Sequence, residues 1–304
     1  MVKALINLLF FAGLMSSFGT AHAAWVEWIA DAEIGYTFND NINNSVFDSA
    51  TENENIFTPS LSLGRIYQLT NFTRLSATVN VAGQIHADFS RLNNISVGPA
   101  VAIRHKLGIG PFVPWVRAEA TAALIESRSE LRDGQIYTLG VQMGKRFHER
   151  VDVLIGYMYD HRNVSSESSE HVHMNDIISD DVYKLRGHKG FTNFNLLVAE
   201  NLLLTLGYSL RDGDVAATVD SSRISMMEAM NIWGITEAHV FDDDAIPGSA
   251  YRVKATTHSF LAGLSYAFLK GQASANIGYQ YYSGEATDLT YVNNVFLASL
   301  NYSY

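Results

Sequence analysis

Hydrophobic and polar residues alternate along this chain with a period of two, in one segment after another. From Val26 to Phe38 the even positions are Val26, Trp28, Ala30, Ala32, Ile34, Tyr36 and Phe38, while Glu27, Asp31, Glu33 and Thr37 take odd ones. The segments that start at Leu75, Tyr137, Leu202 and Ala273 repeat the pattern, with Ser, Thr, Asn, Gln and Gly in the polar positions. A period of two gives a strand one apolar and one polar face.

About twelve such strands are expected, near 25–38, 55–68, 72–88, 94–107, 111–125, 134–147, 150–161, 182–198, 201–212, 251–268, 271–283 and 290–304. Most exceed the ~9–11 residues that a tilted strand needs to cross a bilayer. The joints alternate between short turns and longer loops, the longest at 39–54, 162–181 and 213–250. Short turns on one side, long loops on the other and an even count describe an all-β, antiparallel up-and-down transmembrane barrel. A soluble β-sandwich would show similar strands, but nothing in its physics forces that parity. Its outer face would also carry more charge than the small neutral residues seen here.

The first residues add a compartment. Lys3 precedes the apolar run Ala4–Met15, and Ala21-His22-Ala23 supplies small residues at a cleavage site, so 1–23 reads as a cleaved signal peptide and 24–304 as the barrel. The run is shorter than the ~20 residues of a spanning helix. Export of a barrel through that leader gives a bacterial outer-membrane location.

Composition agrees. Only 17% of the 304 residues are charged, there is no cysteine, and 15 Tyr and 16 Phe supply aromatics for strand ends. Trp28, Tyr36 and Phe38 flank the first apolar band and Tyr266 and Phe268 close the tenth. Such rings belong at the headgroup level. The formal charge of -10 argues against nucleic acid as a partner.

The polar face is where solutes would pass. Glu27, Asp31 and Glu33 on the first strand, with Arg74, Arg104, Lys106, Arg117, Glu119 and Arg146 on the third to sixth, are the candidate lumen residues. Acidic and basic walls would set a transverse field that selects polar solutes; a lumen filled by its own side chains is the alternative. Within 213–250, Ile224, Met227 and Met230 lie at helical spacing with Trp233 beyond, a candidate constriction or lid. Lys184, Arg186, Arg252 and Lys254 alternate near outer strand ends; the continued register puts them on the outward face, where lipopolysaccharide phosphates would meet them, and a β-bulge near Gly187 or Gly190 would turn them inward instead. His171 and His173, among acids in 162–181, are weak metal candidates without diagnostic spacing, so no metal or cofactor is expected.

No enzyme is expected. A membrane-face lipid hydrolase needs a histidine-activated serine or water, and the candidates are His105, His161 and His258. His258 and Ser259 are adjacent and so point to opposite faces of a strand.

The closing "FLASLNYSY" resembles the C-terminal signal that the barrel assembly machinery reads, with Phe296, Leu300, Tyr302 and Tyr304 as its apolar positions. "EIGYTFNDNINNS", "RHKLGIGPFVPWVRAEA" and "SELRDGQIYTLGV" are similar to proteobacterial outer-membrane β-barrel proteins of uncharacterised activity. These distantly resemble the barrel part of surface-lipoprotein assembly modifiers. The resemblance implies a barrel and no functional residue. The expected function is a porin-like passive channel for small polar solutes, in contact with outer-membrane lipid. A non-conducting scaffold or partner-binding barrel is the alternative, and a lipid hydrolase the second.

Overall fold

A computed structural model describes residues 24–164, 180–223, 236–240, 243–287 and 289–304. The leader expected at 1–23 lies outside them. Twelve long strands follow the alternating segments: β1 (Ala24–Asn39), β2 (Glu54–Gln68), β3 (Thr73–His86), β4 (Asn94–Lys106), β5 (Trp115–Ser127), β6 (Gly134–His148), β7 (Val151–Val164), β8 (Leu185–Ala199), β9 (Leu202–Val219), β11 (Ser249–Phe268), β12 (Ala273–Ala286) and β13 (Leu289–Ser303). Each is antiparallel to its neighbours. A short β10 (Ala238–Val240) pairs with the far end of β11, beyond the point where β12 has ended.

Two pairings close the sheet. β13 meets β1 from Asp31↔Ser303 to Asn39↔Val295, and β9 meets β11 from Tyr266↔Leu202 to Ser249↔Val219. Closure matters because an unpaired strand edge is not tolerated in hydrocarbon. The register carries one parity around the ring: Ile34 pairs with Leu300, Leu61 with Val81, Val79 with Pro99 and Leu139 with Tyr159, and the large exposed hydrophobics fall in these outward rows. The outer surface is therefore apolar, and the inner rows mix Ser, Thr, Asn, Gln, Gly and charged residues with a few large apolar ones, among them Ile66, Phe191, Leu261 and Leu297. Arg65 lies over the Trp28 ring at 3.6 Å on that outer surface, and Phe296 packs against Tyr279 and Phe38.

Turns at one end are short, with 149–150 and 200–201 the tightest, and both described chain ends return to it. The other end carries the long connections, apart from 287–288, where Thr287 takes a positive φ of 55° to turn β12 directly into β13. The largest differences from the expected boundaries are at the start of β5 and the end of β9. β5 starts at Trp115 and not at 111, because Pro111 and Pro114 have no N–H to donate to the ladder. β9 and β11 run on to Val219 and from Ser249, so the loop is 220–248. Apolar residues fall on both faces in 215–219, because both faces are covered there, and that hides the strand from a period-two reading.

The hydrophobic core is not in the middle of the barrel. It sits at the long-loop end, where Ala217, Val219, Tyr251, Val253, Ala255, Ala286, Leu289 and Tyr291 cluster against Val46 and Phe47 of the β1–β2 loop. A second cluster joins Val164, Val182, Tyr183, Ala238 and Ala250. Mid-barrel positions are held small instead: a Cβ on Gly98 would lie 1.8 Å from the Ala122 carbonyl oxygen, so only glycine lets β4 approach β5 there.

Candidate functional site

The lumen is built by parity. On β1 the inward acids are Glu27, Asp31 and Glu33, whose ladder partners on β2 and β13 are Ile66, Ser62, Ser303, Ser60 and Asn301. They form an acidic strip with uncharged neighbours. Across β3, β4 and β5, Arg74 is paired with Arg104, and Arg104 with Arg117. This is an unbroken arginine row at the short-turn end. Like charges placed opposite one another disfavour folding, so the row has no structural reason of its own.

The surroundings temper that repulsion. Arg117 Nη2 is 2.5 Å from Glu119 Oε2, Arg74 Nε donates to Gln68 Oε1 at 2.8 Å, and Arg104 stacks on Trp115 at 4.2 Å. Trp115 fills the space above Gly144, where a Cβ would lie 2.3 Å from its ring. Lys106 is its partner on β4, and Arg146 pairs with Asp152 on β7 at 2.9 Å. Among the described residues no ion pair joins the β1 acids to this basic quadrant, so the two walls stay separate. A further inward group, missed by sequence reading, lies on β7–β9: Arg211 Nη2 is 3.0 Å from Asp160 Oδ2, and Lys189 pairs with Arg211 in the ladder. Its members are three strands' worth of isolated charges in sequence, and only the register brings them together.

The long-loop end is covered. The β1–β2 loop reaches across the mouth to β9, four strands away around the ring. Asn43 Nδ2 donates to Thr218 O at 3.1 Å and Asn44 Nδ2 to Ala216 O at 2.9 Å, while Asn293 Nδ2 holds Asn41 O at 2.9 Å. The asparagines in "NDNINNS" are therefore lashings between loop and strand. Asn44 also takes the left-handed conformation, φ 49°, which asparagine tolerates.

The loop before β11 crosses from the other side. Asp243 is buried and accepts from Arg132 Nη2 at 2.7 Å, Tyr183 Oη at 2.9 Å and Thr218 Oγ1 at 3.1 Å, while Asp244 accepts from Ser129 Oγ and Arg91. Burial alone would push the Asp243 carboxyl up, but the hydrogen bond and charge of Arg132 outweigh it and hold the group below the ordinary carboxylate value. Arg132 is correspondingly held above its ordinary value despite burial. Burial drives the Tyr183 hydroxyl well up, so it stays a donor.

The remaining expected sites fall as follows. Arg186, Arg252 and Lys254 are outward, and carboxylates sit beside them: Asp214 is 4.0 Å from Arg186, and Glu237 is 3.6 Å from Arg252 and 3.0 Å from Lys254. Lys184, just before β8, gives its carbonyl to Arg252 Nη1 at 2.7 Å. Phe296, Leu300 and Tyr302 are outward on β13, with Tyr304 beyond its end. His258 is outward and bonded to Tyr208 Oη, while Ser259 is inward and accepts from Gln280 Nε2. The two build no dyad. Ile224, Met227, Met230, Trp233, His171 and His173 lie outside the described residues.

No family model matches this chain, and no curated protein does. Solved structures do. An outer-membrane channel from Pseudomonas putida F1 is similar at 11% identity, over 94% of this chain and 98% of that one, with a TM-score of 0.57. The NanC porin is 10% identical over 90% of this chain and 98% of its own, with a TM-score of 0.46. Neither is a surface-lipoprotein assembly modifier. At this identity the similarity to the first shows the fold alone, an outer-membrane type of β-barrel.

Proposed function

We propose that this protein is an outer-membrane diffusion channel for small polar solutes. The observation that carries the reading is the inward arginine row Arg74–Arg104–Arg117, set apart from the acidic strip Glu27–Asp31–Glu33. Charge of one sign is stacked there against its own repulsion, on the inner face of the barrel. Two separated walls of opposite sign orient dipolar solutes and discourage apolar ones. In this reading the short turns face the periplasm and the long loops the outside. The chain reaches the membrane behind its cleaved leader, with Phe296, Leu300, Tyr302 and Tyr304 read by the assembly machinery. Arg186, Arg252, Lys254 and Lys184 stand where lipopolysaccharide phosphates would compete with Asp214 and Glu237.

A second reading has its own observation. The loops that cross the mouth and their buried Arg132–Asp243 bond favour a barrel that stays shut and presents its loops to a partner. Swelling of liposomes that contain the folded protein separates the two. The channel gives swelling in arabinose that slows with larger sugars; swelling no faster than in protein-free liposomes supports the shut barrel.

A further inference from the structure

Under the crossing loops the lumen ends in a cavity of about 200 Å³. Gln84 and His86 of β3, Asn94 of β4 and Arg162 of β7 face it, together with Arg132 and Tyr183. At ~30 Å³ per water in the liquid it has room for about six or seven heavy atoms, the size of a small hydroxy acid.

Its two guanidinium groups are not equivalent. Arg132 is committed to Asp243 and Asp244, at 2.7 and 3.3 Å. Arg162 donates from Nη2 to the Arg132 carbonyl at 2.7 Å, and has no ion pair among the described residues. Its Nε is shut away from solvent and meets no acceptor in the protein. The acids around it are engaged elsewhere. Asp133 accepts from the Ser127 N–H at 2.5 Å, and Glu54 accepts from the backbone N–H groups of 87–89. His86, 7% exposed, leaves Nδ1 without a hydrogen bond at 3.6 Å from Glu54. A partly buried cation with no ion-pair partner of its own is costly, and a guanidinium fork matches a carboxylate in shape. One guanidinium without an ion pair matches one carboxylate.

We propose that this cavity is a binding site for a small organic mono-anion, a hydroxy acid whose carboxylate sits on Arg162 and whose hydroxyls meet Gln84 and Asn94. The site does not depend on conduction, since a shut barrel with this cavity binds the same ligand.

Calorimetry on the folded barrel in detergent tests it, with glycerate as probe and glycerol as its uncharged counterpart. The expected result is a saturable isotherm for glycerate, none for glycerol, and at least a tenfold weaker glycerate affinity in Arg162→Gln. Equal binding of glycerol, no glycerate isotherm, or undiminished affinity in the variant overturns the assignment. If Arg162→Gln does not fold, the wild-type pair decides alone: glycerate without glycerol supports the site, and any other result removes it.

Discussion

Arg132 Nη2 lies 2.7 Å from Asp243 Oδ2, across 111 positions of sequence, and both side chains are buried. The bond joins the β5–β6 loop to the loop before β11, so it ties opposite sides of the mouth. Tyr183 and Thr218 donate to the same carboxylate oxygen.

Removing one partner of a buried pair costs about 3–5 kcal/mol, because the other charge is left stranded. Asp243→Ala should therefore open the covering loops while the strands stay intact. Hydrogen exchange at Ala245, whose N–H is held by Asp243 Oδ1 at 3.0 Å, should accelerate at least ~100-fold. Unchanged protection at 243–248 would mean that the bond does not hold the mouth.

The latch should be insensitive to mild acid. Asp243 titrates below its ordinary value of 3.8, so the stability it contributes is present above that value and is lost only as pH falls through the lower folded value. Carbon NMR of the labelled carboxyl should place its midpoint under 3.8. A midpoint between 5 and 7 would contradict the geometry.

Glu54 is wholly buried, and its carboxylate accepts from the N–H groups of Asn55, Ala87, Asp88 and Phe89. Each buried donor left unpaired costs about 1–3 kcal/mol. Glu54→Ala should lower the unfolding temperature, and Glu54→Gln, which keeps an acceptor oxygen, should recover part of the loss. Equal unfolding temperatures in all three would show that water replaces the carboxylate at no cost.

The arginine row predicts a small effect on stability and a large one on selectivity. Arg104→Gln relieves two like-charge contacts and gives up the stack on Trp115, terms of similar size, so stability should change by no more than about 1 kcal/mol. In a salt gradient its reversal potential should shift toward cation preference. An unshifted potential would take Arg104 out of the permeation path.

The barrel was legible because a strand that faces lipid on one side and water on the other must alternate, and twelve segments do. Parity alone placed Arg74, Arg104 and Arg117 inward, and Arg186, Arg252 and Lys254 outward. What parity does not carry is which inward residues become neighbours. The row across β3–β5 and the Asp160–Arg211 pair depend on register between strands. The covered mouth was hidden for a related reason. Asp243 lies in "VFDDDAIPG", which reads as a solvated acidic loop until Arg132 and Tyr183 arrive from distant segments. The run 213–219 reads as loop because its strand is covered on both faces.

The central claim is that this lumen conducts small polar solutes past a latched mouth. Single-channel current through the purified barrel in planar bilayers tests it most directly, with wild type and Asp243→Ala side by side. The account predicts discrete steps in the wild type and larger or longer-lived steps in the variant. A barrel that inserts in its folded form and passes no current in either protein would contradict it.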